Sequence, residues 1–197
     1  MHIGIAGIGK MGAAIGSRLL SQGYKVTVWN RTSVKAQSLL DAGAQWAPTP
    51  KALAESVDVV LTLLTNEAAL DQVYGAESGL LAGQVKGKTF IDMSTVRPAK
   101  PQEMAGLVQA VHAYFLECPV GGSVGPAKEG KLLGFVGGQA QDLARVHALL
   151  SVICRRVEHV GPHGAGATMK LAVNLPLMVY WQTLGEALSL VEPLGLD

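Results

Sequence analysis

Short apolar runs of β-type residues alternate with helix-period segments from the amino terminus to about residue 160. That alternation leaves few architectures open. A β-type run needs hydrogen-bonded neighbours and each helical segment needs an apolar surface to lie on; repeated βα units supply both by building a mostly parallel sheet with helices over its faces. The pattern predicts strands over residues 2–7, 25–29, 45–47, 58–64, 88–92, 113–117, 132–137 and 156–160. Helices are expected over 10–22, 33–42, 50–56, 66–74, 98–111, 121–129 and 139–150. The run VDVVLTLL at 57–64 is apolar nearly throughout, as a strand covered on both faces must be, so it belongs near the middle of the sheet.

After Gly161 the texture changes to one long helix that starts near Gly164. Its apolar positions Met169, Val173, Met178, Trp181, Leu184, Leu188 and Val191 surround much of the helix, more than a surface helix needs. Residues 163–197 are therefore expected to open an all-α domain whose apolar surface meets a second domain or another subunit, which favours a homo-oligomer. The ending LGLD reads as unfinished, with Gly195 suited to a helix end and Asp197 to the N-cap of a further helix. The stretch LAVNLPLMVYW at 171–181 has 11 residues and contains Asn174 and Pro176. A membrane span wants roughly 20, so a buried helix is expected there, kinked by Pro176, which breaks one helical hydrogen bond.

With a formal net charge of +1 and no Lys/Arg run above two residues, the chain lacks the broad basic face that nucleic-acid binding needs. Cys118 and Cys154 stand singly, as buried thiols in a reducing compartment do, and HIGIAG at the start carries no basic leader or cleavage site. A cytoplasmic protein is expected. His2, His112, His147, His159 and His163 show no metal-ligand spacing and read as structural or surface residues.

The loop between the first strand and the first helix reads GIGKMG, with Gly7, Gly9 and Gly12 in the pattern G-x-G-x-x-G. The first glycine permits a sharp turn, the second lets a pyrophosphate approach the backbone, and the third lets helix and strand close together. Lys10 and Met11 carry the loop into the helix, whose free N–H groups favour an anion. The fold class is thus a Rossmann-type doubly wound α/β sheet over residues 1–162. At the tip of the second strand, a carboxylate would accept the ribose hydroxyls of NAD; here the tip reads WNRTS, with Asn30 in that place. Arg31 can grip a phosphate bidentately and Thr32 and Ser33 add hydroxyls, so NADP is favoured over NAD.

With these residues in place the chain resembles the β-hydroxyacid dehydrogenase family, along its whole length. Four segments carry the likeness: residues 4–32, the cofactor signature; FIDMSTVRP at 90–98; LECPVGGSVGPAKEGKL at 116–132; and GPHGAGATMKLAVN at 161–174. The resemblance implies hydride transfer between a nicotinamide and a small β-hydroxyacid or the matching aldehyde or keto acid. It implies Lys170 as general acid/base, Asn174 as its substrate-binding partner, and Ser94, Gly122 and Ser123 as holders of the substrate's acid group. Leu64, Thr65 and Thr95 would line the cofactor. Physical chemistry agrees with the pair on the helix: four residues apart, they share a face, and burial would lower the amine's pKa toward working pH.

Two departures bear on substrate choice. Gly121 stands where many members have Ser, and Val173 stands where the sugar-phosphate branch has His. Two other readings stay open: an imine reductase-like enzyme, against which Lys170 counts, and a catalytically silent NADP-binding or dimerisation module.

Overall fold

The computed structural model describes residues 1–195, so the capping expected of Asp197 lies outside the described residues. The chain runs through β1 (His2–Ala6), α1 (Lys10–Ser21), β2 (Lys25–Trp29), α2 (Gln37–Asp41), β3 (Gln45–Trp46), α3 (Pro50–Ser56), β4 (Val59–Thr62) and α4 (Glu67–Gly75). It continues through β5 (Thr89–Asp92), α5 (Ala99–Ala110), β6 (Tyr114–Glu117), β7 (Val120–Gly121), α6 (Val124–Glu129), β8 (Leu132–Gly138), α7 (Ala140–Ile153), β9 (Cys154–Gly161) and α8 (Ala165–Val191).

The strands form one sheet in the order β3-β2-β1-β4-β5-β6-β8-β7, with β9 paired to β8. Strands β1 to β6 pair in parallel, and β8 joins β6 and β7 antiparallel. As expected, β4 is central and buried along its whole length. Strand order reverses between β1 and β4, and the carboxyl ends at such a reversal leave a crevice between diverging loops.

Each face of the sheet holds its own core. On one side Ile15 and Leu19 of α1 and Val146, Leu149 and Leu150 of α7 share one core with Ile3, Ile5, Val28, Leu132 and Val136 of the sheet. On the other, Leu53 of α3, Leu70 and Tyr74 of α4 and Met104 and Val108 of α5 cover Val60 and Phe90. The helix starts follow local chemistry as well. Thr49 accepts the Ala52 N–H at 3.1 Å ahead of Pro50, a proline placed where no helical N–H is lost. Thr49→Ala should lower unfolding free energy by about 1 kcal/mol, read as a lower urea midpoint at unchanged m-value.

The structure departs from the sequence expectations in four places. The two-residue strand β7 pairs with Leu133 and Gly134, too short to show any periodicity, and it delays α6 to Val124. Leu63 and Leu64 leave the sheet after Thr62 and turn toward the crevice. Helix α7 runs to Ile153 and β9 follows at once. The stretch 171–181, expected to be buried, is exposed at nearly every position, because α8 packs on β8 and β9 through its first turn and only Gly166 and Ala167 are buried. Helix α8 runs unbroken through Pro176. Among the described residues no helix is long and apolar enough to cross a membrane.

Candidate functional site

The glycine loop does at each position what its spacing requires. Gly7 has φ of 105°, and a side chain there would also strike the Leu63 carbonyl; one on Gly12 would run into the Gly7 carbonyl oxygen. Around Gly9 the space is open, with no atom within 4 Å of where a Cβ would stand. Gly9 caps α1 without any side-chain hydrogen bond, and the first turn (Lys10, Met11, Gly12) holds no acidic residue. The positive helix end therefore faces the crevice unopposed.

Beside this loop lies a cleft of about 290 Å³. Gly7, Gly9, Asn30, Arg31 and Thr32 line one wall and Leu64 and Thr65 the other, so the structure brings these predicted residues together. Asn30 also has an internal task. Its Oδ1 accepts the Ile8 N–H at 2.9 Å and its Nδ2 donates to the Thr32 carbonyl at 2.8 Å, which ties the glycine loop to the loop after β2. The sequence reading missed Lys35, which adds a second cation beside Arg31, the α4 stripe Ala69, Gln72 and Val73, and Ala76 just past the helix. The signal for the stripe was present, since the spacing of three and four puts Ala69, Gln72 and Val73 on one helix face.

Thr65 also lines a second hollow, together with Thr95, Val96, Arg97 and, from α8, Leu171. Its rim is held by Arg97, which bonds Glu67 at the start of α4 and draws that carboxyl's pKa down to about 2. Behind the wall lies a buried chain of hydroxyls. Thr62 Oγ1 and Ser94 Oγ both donate to Asp92 Oδ1 at 2.7 Å, Tyr74 sits 3.2 Å from Thr62 Oγ1, and Ser94 Oγ accepts the Leu64 N–H at 2.9 Å. Burial pushes the Asp92 carboxyl's pKa up, while the Ser94 and Thr62 bonds pull it back. Ser94 is 5% exposed. With its proton on Asp92 and its oxygen holding the Leu64 N–H, the Ser94 hydroxyl braces the loop after β4.

Lys170 and Asn174 are half-buried on α8 and line neither hollow, although Leu171 beside Lys170 does. Burial lowers the Lys170 pKa, and no carboxylate among the described residues lies within ion-pair distance to raise it. Gly122, with φ of 124°, and Ser123 stand exposed in the β7–α6 turn, and the Ser123 side chain does not cap α6. Two of the histidines brace the fold: His163 Nε2 bonds the Phe115 carbonyl at 3.0 Å and His159 Nε2 that of Gly138 at 2.8 Å. Cys118 and Cys154 are buried and unpaired as a disulfide. No group of three potential metal ligands exists among the described residues.

A doubly wound sheet with an uncapped, glycine-led helix at its point of reversal defines a dinucleotide-binding domain. Residues 2–161 match the NAD binding domain of 6-phosphogluconate dehydrogenase, and the chain belongs to the β-hydroxyacid dehydrogenase family. It is 32% identical over 195 residues to the mitochondrial 3-hydroxyisobutyrate dehydrogenase of Bos taurus, an alignment covering 99% of this chain and 58% of that protein. It therefore spans little more than half the length of that relative. Among solved structures it resembles Psf3 in complex with NADP+ and 2-OPP, at 32% identity and a TM-score of 0.93 over 99% of this chain and 69% of the other. It also resembles the reductive aminase from Aspergillus terreus in complex with NADPH and ethyl-5-oxohexanoate, at 25% identity and a TM-score of 0.90, over 100% of this chain and 68% of the other.

Proposed function

We propose that this chain is the cofactor-binding part, with the proton-transfer helix, of an NADP-dependent oxidoreductase. Its substrate is a small β-hydroxyacid or the matching aldehyde or keto acid. Residues 1–162 hold the nucleotide and 163–197 open an all-α region. The observation that carries this reading is that Thr65 lines both hollows, the one with Arg31 and Lys35 and the one with Thr95 and Leu171. A dinucleotide bound across the two would have its adenosine phosphate held by Arg31 and Lys35 and its pyrophosphate by the α1 end, and the second hollow is lined by Leu171 of the helix that bears Lys170. NADP is preferred because no carboxylate stands at the β2 tip, where Asn30 is occupied with Ile8 and Thr32.

Bound nicotinamide would supply the hydride chemistry. In the reducing direction the Lys170 ammonium donates a proton to the substrate oxygen, and in the oxidising direction the neutral amine removes one from the hydroxyl. Asn174, one turn further on the same face, donates a hydrogen bond to that oxygen. Gly122 offers its N–H, and Ser123 its N–H and an uncommitted hydroxyl, to the substrate's carboxylate. The free, buried thiols of Cys118 and Cys154 support a reducing compartment such as the cytoplasm. The exposed apolar residues of α8, among them Leu175, Met178, Tyr180 and Trp181, support a homo-oligomer through this helix. Sedimentation should show a dimer at micromolar concentration, and Trp181→Glu should shift it toward monomer.

The likeness to a reductive aminase favours one second reading, an imine reductase-like enzyme. A spectrophotometric panel tests both. NADPH oxidation with glyoxylate or a semialdehyde acid and no added amine supports the hydroxyacid reading. Oxidation only with a ketone and an amine together overturns it. NADPH binding without turnover on any substrate leaves a silent nucleotide-binding module.

A further inference from the structure

Glu117 closes β6, is 1% exposed, and lines neither hollow. Its side chain reaches across to the start of α8, 47 to 50 residues later in the chain. Oε1 accepts the N–H groups of Gly164 and Gly166, the latter at 3.0 Å, and Oε2 accepts that of Ala167 at 3.0 Å. Three donors converge on one carboxyl, which suits the ionised, acceptor-only form. The cap residue Gly164 has φ of 96° and no side chain to do this work itself, so the N–H groups of Gly164, Gly166 and Ala167 at the start of a 27-residue helix are satisfied from another element, while that of Ala165 donates to the Pro162 carbonyl.

The seat around the carboxylate is built to size. A Cβ on Gly166 would stand 3.1 Å from Glu117 Cδ and closer still to the Phe135 carbonyl, and one on Gly137 would overlap Glu117 Oε1. On the helix side His163 is anchored to Phe115, two residues before Glu117, and Gln102 of α5 donates to the His163 carbonyl at 3.3 Å. Burial pushes the Glu117 carboxyl's pKa up, and the N–H groups of Ala167, Gly164 and Gly166, with the nearby His163, pull it down. Two oxygens on three donors at successive angular positions fix a helix both along its axis and in rotation about it. Lys170 stands three residues beyond Ala167, less than one turn, on a helix whose later turns are exposed. Among the described residues the side-chain hydrogen bonds from the sheet to the start of α8 are those of Glu117.

We propose that Glu117 is the positioning residue of this site: its carboxylate holds the amino end of α8 in place and in rotation, and so sets where the Lys170 amine stands. This rests on the reading of Lys170 as the proton-transfer group.

The test compares the full chain with Glu117→Gln, which keeps shape and removes charge, and Glu117→Asp, which keeps charge and shortens reach. Four quantities are read: NADPH affinity by fluorescence, amide hydrogen exchange over residues 164–170, acylation of Lys170 by acetic anhydride followed by mass spectrometry, and kcat and KM for the aldehyde acid the parent reduces. With Gln, NADPH affinity should stay within about twofold, because the glycine loop follows β1, three strands across the sheet from β6, and Glu117 does not line its cleft. Exchange at 164–167 should rise at least about tenfold, Lys170 acylation should change about threefold or more, and kcat should fall on the order of 10- to 100-fold. Asp should recover part of each change. Parent-like exchange and acylation in the Gln variant would overturn the proposal, and so would loss of NADPH binding in step with kcat, which marks general damage. If Gln does not fold, parent-like exchange and acylation in Asp would overturn it equally. A parent that reduces no aldehyde acid sinks the enzymatic reading alone, since exchange and acylation still decide whether Glu117 positions Lys170.

Discussion

Lys170→Ala should abolish turnover and leave NADPH binding at the parent value. General acid/base catalysis by a positioned side chain contributes typically 10²- to 10⁴-fold, or about 3 to 5 kcal/mol of barrier. Lys170 is the only group on the described first turns of α8 able to exchange a proton with a substrate oxygen. The loss should appear in kcat, measured as NADPH oxidation at saturating aldehyde acid, with the affinity for NADPH taken from protein fluorescence. Its pKa is lowered by burial, with no carboxylate partner opposing the shift. Burial therefore penalises the charged amine in the folded state. The penalty is full at pH values below the folded pKa and fades as pH rises toward the unfolded value, so removing this lysine should leave Tm at neutral pH unchanged or slightly raised. The same direction sets the rate profile: reduction, which needs the ammonium, declines as pH climbs through a pKa below the ordinary lysine value, while oxidation, which needs the free amine, increases. A variant that keeps more than a tenth of the parent kcat would remove Lys170 from the mechanism.

The double replacement Arg31→Ala, Lys35→Ala should weaken NADPH binding on the order of 10- to 100-fold and change NADH binding less than about twofold. A hydrogen bond to a charged group contributes about 1.5–3 kcal/mol in general; the lower part of that range applies here because both side chains are exposed and screened by salt. The consequence is loss of preference for NADPH over NADH, measured by parallel titrations at low and at 0.5 M salt. Equal weakening toward both cofactors would mean that the cations attract overall negative charge rather than a 2′-phosphate, and the preference would have to come from Thr32 and the backbone around it.

Much of the nucleotide site is written in local signals. Gly7, Gly9 and Gly12 stand at offsets set by one strand-to-helix turn, so the spacing alone states the geometry. Asn30 and Arg31 follow because β2 must end beside β1. Lys35 and the α4 residues escaped notice because their membership depends on how far one loop folds back and on which face of a helix the sheet leaves uncovered. The bracing bonds of Ser94 escaped for a related reason: a serine at a strand's carboxyl end can brace a loop as well as serve a ligand, and its bond to the buried Asp92 is set by folding, not by spacing.

By itself the sequence determined the alternating α/β architecture, the central place of β4, the glycine turn and the existence of a long apolar helix, since each depends on periodicity or on spacing within a few residues. Tertiary structure alone decided that β7 inserts beside β8, that most of α8 lies exposed, that Ser94 turns inward, and that a glutamate closing β6 caps a helix about fifty residues away. These are contacts between segments distant in the chain, where nothing in the order of residues states which buried polar group will meet which unsatisfied donor until the sheet has brought them together.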